Sequence, residues 1–274
     1  MEFNNELNIL FYYTYKNKYT EPLKLLINDN NLKNIKSLNN KGYTPFHSAC
    51  ENGHIDIVEL LINCKDIINI NSVNYKGYTA FHSACEKGYI DIVKLLINDN
   101  MININLKDTF GNTGFHYACK NGNIEIVKIL MNDNRINMNI LSKTEKTPFN
   151  LTCLYLLLQF NINIINYIEI IKLLLNDARI NINNLDQYGN TSFYYICKNI
   201  EFNIIELFFS SNRKIDLESF KFLKNSKNLK VIDFLENLNK KENTISKHQK
   251  LIFSAADNDL DTLKKILKKK NKNI

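Results

Sequence analysis

The sequence predicts an all-α solenoid, in which short helix-turn-helix units are stacked and joined by short extended hairpin fingers. Three observations predict this fold class. A similar sequence motif recurs about every 34 residues, and glycines occupy two fixed positions in it. Each repeat ends in a segment in which apolar and polar residues alternate. The composition, with 45% hydrophobic and 23% charged residues, is typical of a globular protein and excludes wholesale disorder.

The first helix of each repeat follows a turn and begins after a threonine. In the first clear repeat, Thr44 is suited to cap the helix N-terminus and Pro45 to occupy its first turn. The helix is predicted to stop at Gly53, which can adopt the left-handed conformation of a C-terminal cap. The spacings between the five equivalent threonines are 35, 34, 34 and 44 residues. The repeated segments are 42–50, 77–85, 111–119, 145–153 and 189–197.

The second helix carries a repeated apolar stripe and leads into a finger. In residues 55–62, Ile57, Leu60 and Leu61 lie at positions i, i+3 and i+4, which predicts one buried helix face. After the second helix, Ile or Met alternates with Asn. This period of two predicts an extended segment that runs to the next turn. The alternating segments are 68–71, 102–105, 136–139 and 180–183.

This arrangement of turn, helix, turn, helix and finger resembles the ankyrin repeat. Thr44-Pro-Phe-His47 is similar to the family's Thr-Pro-Leu-His, with Phe in place of Leu. The clear motifs cover residues 39–200, and weaker ones extend the resemblance in both directions. The resemblance implies an ankyrin-repeat solenoid of about eight units. The fourth clear unit has ten extra residues after Cys153, so it is predicted to have longer helices or an ordered loop.

The predicted unit boundaries follow from this resemblance. Residues 1–38 form a degenerate N-terminal capping repeat, and residues 246–274 form a C-terminal capping repeat with a lysine-rich tail. We name the five clear repeats between them repeats 1 to 5: they span 39–73, 74–107, 108–142, 143–185 and 186–214. Repeat 5 has a truncated finger, and a degenerate repeat at 215–245 follows it.

Histidine and cysteine recur in a spacing that zinc sites also use, at His47/Cys50, His82/Cys85 and His116/Cys119. However, five of the six cysteines occupy one repeat position, where the resemblance implies a small buried residue. It also implies that each motif histidine bonds locally to the threonine hydroxyl and to the adjoining turn. Phosphate-binding loops and catalytic motifs are absent from the sequence. We therefore predict no metal site, no cofactor and no catalytic residues, that is, no enzyme.

The net charge of +7 is concentrated at one end of the chain. Residues 261–274 contain six lysines and one aspartate, and so carry +5. One interpretation is a solvated cap, because terminal repeats need a polar outer face. The alternatives are a nuclear-import signal within Lys264–Lys270 and a nucleic-acid contact through the lysine-rich C-terminus.

The remaining composition bears on compartment and source. The first ten residues lack a signal-peptide pattern, and residues 151–175 hold too many polar groups for a membrane span, so we expect a cytoplasmic monomer without membrane contact. The 46 Asn, 37 Ile and 32 Lys have A/T-rich codons. This excess predicts an AT-rich genome. Similar ankyrin proteins are common in the AT-rich genomes of protists and large DNA viruses. If the source is a virus, the predicted compartment is the host cytoplasm.

A solenoid presents an extended concave surface, and the resemblance implies protein binding through turn tips and the exposed face of the first helices. The tips alternate lysine with tyrosine or phenylalanine, which favours a partner with acidic character. We therefore predict a non-enzymatic scaffold or adaptor; the alternative for the tip aromatics is that they only pack against neighbouring tips. The candidate partner-binding residues are Lys41, Tyr43, Tyr75, Lys76, Tyr78, Lys107, Phe110, Lys143, Lys146 and Tyr188.

Overall fold

The computed structural model describes residues 41–64, 68–158 and 164–199, with scattered positions in 21–39 and 204–215. The predicted units 215–245 and 246–274, and nearly all of 1–38, lie outside these residues. The described part contains nine helices and no strand. The helices are α1 (Pro45–Asn52), α2 (Ile55–Ile62), α3 (Ala80–Lys87), α4 (Ile90–Ile97), α5 (Gly114–Lys120), α6 (Ile124–Met131), α7 (Pro148–Leu158), α8 (Ile164–Asn176) and α9 (Ser192–Asn199).

The contacts divide the chain into an N-terminal unit, residues 1–148, and a C-terminal unit, residues 149–274. In the N-terminal unit each repeat contributes a helix pair. The first helices α1, α3 and α5 pack side by side in one layer, and the second helices α2, α4 and α6 pack in another. The core between the layers is made by side chains that recur in every repeat, such as Phe46, Phe81 and Phe115 from the first helices. The repeated sequence motif thus supplies the same hydrophobic core contacts in each repeat.

The predicted helix caps are confirmed by their geometry. The Thr44 hydroxyl accepts a hydrogen bond from the backbone N–H of His47, at the start of α1. Gly53 has φ 75° and its N–H donates to the Ala49 carbonyl, which ends the helix. In repeat 4 the turn glycine is replaced by Glu145, which adopts φ 57° nonetheless and keeps the same turn.

The fingers alternate in burial, but their backbone does not form strands. Ile102 and Ile104 are buried while Asn103 between them is exposed, as the alternation predicts. The backbone instead bends through successive turns, because an Asp or Asn side chain at the start of each turn accepts a hydrogen bond from the N–H two residues later. Asn103 Oδ1, for example, accepts from the Asn105 N–H at 3.1 Å.

A second asparagine in each finger joins neighbouring repeats. The Asn71 side chain donates to the Met101 carbonyl at 2.8 Å and accepts from the Asn103 N–H at 2.8 Å. Asn105 repeats this pattern one repeat later, with the Arg135 carbonyl and the Asn137 N–H. The amide has both a donor and an acceptor, so one side chain satisfies two backbone groups of the next finger.

The extra residues of repeat 4 lengthen its helices. α7 has 11 residues and α8 has 13, against 8 in most helices of repeats 1 to 3. Within the C-terminal unit, the ring of Phe208 stacks on Phe149 at 5.8 Å and contacts Phe193 at 5.1 Å between centroids. At the truncated finger of repeat 5, the Arg213 guanidinium donates to the Asp177 carbonyl at 2.8 Å. Among the described residues, no helix has the length and apolar character needed to cross a bilayer.

Candidate functional site

Each turn tip is held by one side chain at its base. Asn74 Oδ1 accepts hydrogen bonds from the N–H groups of Lys76 at 2.8 Å and Tyr78 at 3.0 Å. Asp108 Oδ1 does the same for Phe110 and Asn112. Because two backbone donors are fixed by one acceptor, the tip residues are presented on a defined turn.

Backbone hydrogen bonds connect successive tips of the N-terminal unit. The Tyr75 N–H donates to the Lys41 carbonyl at 3.3 Å, and the Thr109 N–H donates to the Lys76 carbonyl at 3.0 Å. The Lys143 N–H then donates to the Phe110 carbonyl at 2.8 Å. The tips of repeats 1 to 4 therefore form one continuous edge.

Six of the predicted residues lie exposed along this edge. The side chains of Tyr75 and Phe110 are 70% and 61% exposed, which is high for aromatic residues on a folded surface. The Tyr75 ring also lies across the neighbouring tip, since a Cβ at Gly42 would be 2.7 Å from it. It therefore packs on a neighbour and remains accessible. We call these six residues the tip row: Lys41, Tyr75, Lys76, Lys107, Phe110 and Lys143. Tyr188, 68% exposed, occupies the tip of repeat 5 in the C-terminal unit.

The other three predicted residues do not belong to the exposed row. Tyr43 and Tyr78 are half-buried, and Lys146 is buried at 6% exposure, so its assignment as an exposed tip lysine is corrected. They share the position before the threonine cap. For Tyr78 and Lys146, the backbone carbonyl contacts the histidine of the preceding repeat, with 3.0 Å from His47 Nε2 to the Tyr78 oxygen and 3.2 Å from His116 Nε2 to the Lys146 oxygen. This contact holds the position against the repeat before it.

The motif histidines complete a capping box at each first helix. His47 Nδ1 accepts from the Thr44 N–H at 3.2 Å, while the Thr44 hydroxyl accepts from the His47 N–H. Nδ1 therefore lacks a proton, and Nε2 donates to the next turn. Burial lowers the pKa of His47 and of His116 to about 4 and also lowers that of His82. The three imidazoles are neutral structural links between repeats.

The motif cysteines are buried, and burial raises the pKa of the Cys50, Cys85 and Cys197 thiols. A protonated, fully packed thiol behaves as a small apolar side chain rather than as a nucleophile or metal ligand. In the part of the chain that the structure describes, no group of three or more His, Cys, Asp or Glu is placed to hold a metal ion.

Two buried tyrosine-aspartate pairs were not predicted from the sequence. The Tyr117 hydroxyl donates to Asp108 Oδ2 at 2.6 Å, and the Tyr195 hydroxyl donates to Asp186 Oδ2. Burial and the hydrogen bond to Asp108 raise the pKa of Tyr117. A comparison of the repeats could have predicted these pairs. The two tips that begin with Asp have Tyr nine residues later, whereas the tip that begins with Asn74 has Ser83 at that position.

Removing one of these hydroxyls tests the pair. Tyr117→Phe is expected to lower the free energy of unfolding by about 1 to 2 kcal/mol, because a buried carboxylate oxygen loses its donor. Urea denaturation followed by circular dichroism measures the change. Adding Asp108→Asn to this variant gives repeat 3 the asparagine-based turn of repeat 2. The double variant should recover part of the lost free energy of unfolding. Unchanged stability of Tyr117→Phe would contradict the pairing.

These features define a class, a helical repeat protein that exposes aromatic and basic side chains on its turns. A family model described as ankyrin repeats (three copies) matches residues 10–108 and 98–184, which is more than half of the chain. The chain therefore belongs to the ankyrin-repeat family, as its repeated motifs predict. A comparison with curated proteins finds no significant match.

Proposed function

We propose that this protein is a non-enzymatic interaction scaffold that captures an acidic protein partner through the tip row. Ankyrin repeats are generally protein-protein interaction modules, which supports binding to a protein. The observation that carries the proposal is the continuous, hydrogen-bonded edge that exposes two aromatic rings among four lysines. Rigid aromatic side chains are frequent anchors of protein interfaces, and a basic row favours acidic partners.

The charges around the tip row support the acidic character of the partner. The carboxylate of Asp108 is buried and bonded to tip N–H groups and to Tyr117, so it is turned away from an incoming partner. The four row lysines are exposed, and Lys107 Nζ also donates to the Leu141 carbonyl at 3.1 Å. At the tip of repeat 4, Glu145 is an exposed carboxylate that offsets part of this charge. The row remains basic overall.

Charge reversal along the row tests the proposal. The triple variant Lys76→Glu, Lys107→Glu and Lys143→Glu is expected to weaken binding about 100-fold, because attraction becomes repulsion at three sites. Fluorescence anisotropy with a labelled peptide of alternating glutamate and serine measures affinity. Affinity capture with crosslinking from cells of the source organism tests the natural partner. Tyr75→Ala and Phe110→Ala should weaken partner capture by removing the anchors.

The control reverses lysines on the second helices. Lys94→Glu and Lys128→Glu change an exposed and a partly exposed lysine that form ion pairs within α4 and α6, outside the tip row. They should leave binding within about twofold, since surface ion pairs contribute little to the fold. Circular dichroism checks that all variants are folded. Unchanged capture by the tip-row variant would remove the proposed surface.

A second candidate is association with nucleic acid or the nucleus through the lysine-rich tail. The supporting observation is the charge of +5 on residues 261–274, which lie outside the described residues. This function requires binding that weakens steeply with salt and falls when the six tail lysines are changed to glutamine. A cytoplasmic location, nuclear entry through Lys264–Lys270 and a monomeric state remain predictions.

A further inference from the structure

A row of exposed aliphatic side chains lies at the fingers, one residue before the base of each tip. Leu38, Val73 and Leu141 hold this position in the N-terminal unit, and Leu185 holds it in the C-terminal unit. All four side chains are between 41% and 56% exposed. Single exposed aliphatic residues are common on protein surfaces, but these four share one repeat position. Their exposure is therefore a repeated feature of the surface.

Backbone hydrogen bonds place this position equivalently in each tip. The N–H of every tip base donates to the carbonyl oxygen four residues later, at 2.9 to 3.0 Å. In the N-terminal unit, backbone bonds between successive tips also join them into one edge. The residues that precede the bases therefore lie at corresponding points of neighbouring fingers. The five bases are Asn39, Asn74, Asp108, Ser142 and Asp186.

A lysine fills the one gap in this row. Before the base Asp108 the position is held by Lys107, whose Nζ donates to the Leu141 carbonyl at 3.1 Å. Its methylene chain therefore extends toward the next finger and adds apolar surface there, while the charge stays at the tips. We call Leu38, Val73, Lys107 and Leu141 the finger stripe. Lys107 belongs to both the finger stripe and the tip row, so the two surfaces adjoin.

The charge beside the finger stripe is positive. Lys41, Lys76 and Lys143 are exposed on the same tips, one or two residues after the bases. Glu145 is an exposed carboxylate at the tip of repeat 4 and offsets part of this charge. A second copy of the chain bound here would bring lysines against lysines. An acidic partner is therefore favoured over self-association.

The shape of the finger stripe favours an extended partner segment. Packed helices lie about 8 to 10 Å apart, and an extended chain advances about 3.3 Å per residue. Every third residue of an extended segment therefore meets the next finger. An amphipathic helix buries an apolar face at least about 100° wide, whereas the finger stripe is one side chain wide in each finger.

We propose that the finger stripe binds an extended acidic segment of a partner protein that carries an aliphatic residue at every third position. The aliphatic side chains pack against Leu38, Val73, the methylenes of Lys107 and Leu141, and the carboxylates between them pair with the tip-row lysines. The proposal rests on the proposed function, because the same lysines attract the partner. It adds the sequence pattern by which the partner is recognised.

The test compares two labelled peptides, one of four Leu-Glu-Ser triplets and one of four Ser-Glu-Ser triplets, which bind the full chain in fluorescence anisotropy. The leucine peptide should bind about tenfold more tightly, because its leucines bury apolar surface on the finger stripe. A peptide of the same composition with its four leucines adjacent should lose most of this gain, because only the period of three matches the fingers.

Substitutions in the finger stripe should abolish the gain. The double variant Val73→Ser and Leu141→Ser should bind the leucine peptide about tenfold more weakly and the serine peptide within about twofold of wild type. Both side chains are exposed, so the variant should fold, which circular dichroism checks. Ile165→Ser is the matched control, since it removes another exposed aliphatic side chain, on α8 and outside the finger stripe. It should leave both affinities unchanged.

Several outcomes would overturn the proposal. The finger stripe is excluded by equal affinity of wild type for the two peptides, or by a double variant that binds the leucine peptide as tightly as wild type. Sedimentation that shows wild type as a dimer and the double variant as a monomer would make the stripe a contact between copies. Failure of the tip row is distinguishable, because the charge-reversed variant would then keep the serine peptide.

Discussion

Lowering the pH from 7 to 5 is expected to reduce the free energy of unfolding by about 4 kcal/mol through His47 and His116 alone. Both imidazoles have a pKa of about 4 in the folded protein, against an ordinary value of 6.5. The pKa of His82 is lowered in the same direction and adds to the effect. Urea denaturation at a series of pH values, followed by circular dichroism, measures it.

The sign follows from proton binding. Because the folded-state pKa is lowered, the unfolded chain binds more protons than the folded chain between pH 6.5 and pH 4. The stability is therefore complete above pH 6.5 and is lost as the pH falls through that window. Burial is the main cause of the lowered pKa. For His116, the charge of Asp108 raises the pKa and the charge of Lys107 lowers it further. Protonation of Nδ1 would also remove the acceptor of the threonine N–H in each capping box.

The chain contains its own control for this effect. Repeat 4 has Asn150 at the histidine position, and its Nδ2 donates to the Asn184 carbonyl at 3.2 Å, so asparagine is compatible with the fold there without titrating. His47→Asn and His116→Asn should each reduce the stability difference between pH 7 and pH 5 by about 2 kcal/mol. Carboxylates titrate alike in variant and wild type, so the comparison isolates the histidines. An unchanged difference in the double variant would refute the assignment.

The sequence predicts the helices well because their signals are local and repeated. Thr44 and Gly53 fix the ends of α1, and the same caps recur at equivalent positions. The fingers are predicted less well. Alternation correctly identifies the buried Ile102 and Ile104, but a period of two does not distinguish a strand from successive turns. The Asn side chains accept hydrogen bonds from nearby backbone N–H groups, and these bonds favour turns over a strand.

The candidate site is predicted in part for a similar reason. Exposure of Tyr75 and Phe110 follows from their place on a turn. Burial of Lys146 does not follow from its place on a turn, and neither does the contact of its carbonyl with His116 of the preceding repeat. Contacts between repeats, rather than local pattern, determine which tip residues remain available to a partner.

Gly114→Ala is expected to lower the free energy of unfolding by about 2 to 3 kcal/mol, although the sequence alone suggests the opposite. Gly114 is the first residue of α5, where repeats 1, 2 and 4 have Pro45, Ala80 and Pro148, and alanine is the better helix former. However, a Cβ at Gly114 would lie 2.6 Å from Cε1 of Phe81, a ring that is 1% exposed and cannot move aside without disturbing the core.

The cause can be tested by making room for the new methyl group. Phe81→Leu, which restores the leucine of the family motif, shortens the side chain that a Cβ at Gly114 would strike. The double variant Phe81→Leu and Gly114→Ala should therefore be less destabilised than the two single changes predict together, a coupling measured by a double-mutant cycle in urea. Ala80→Gly, the converse change at the equivalent position of α3, should also destabilise, by about 1 kcal/mol, because alanine already fits there. If Gly114→Ala instead raised stability, helix propensity would outweigh packing at this site, and the tight contact between α3 and α5 would not be what selects glycine.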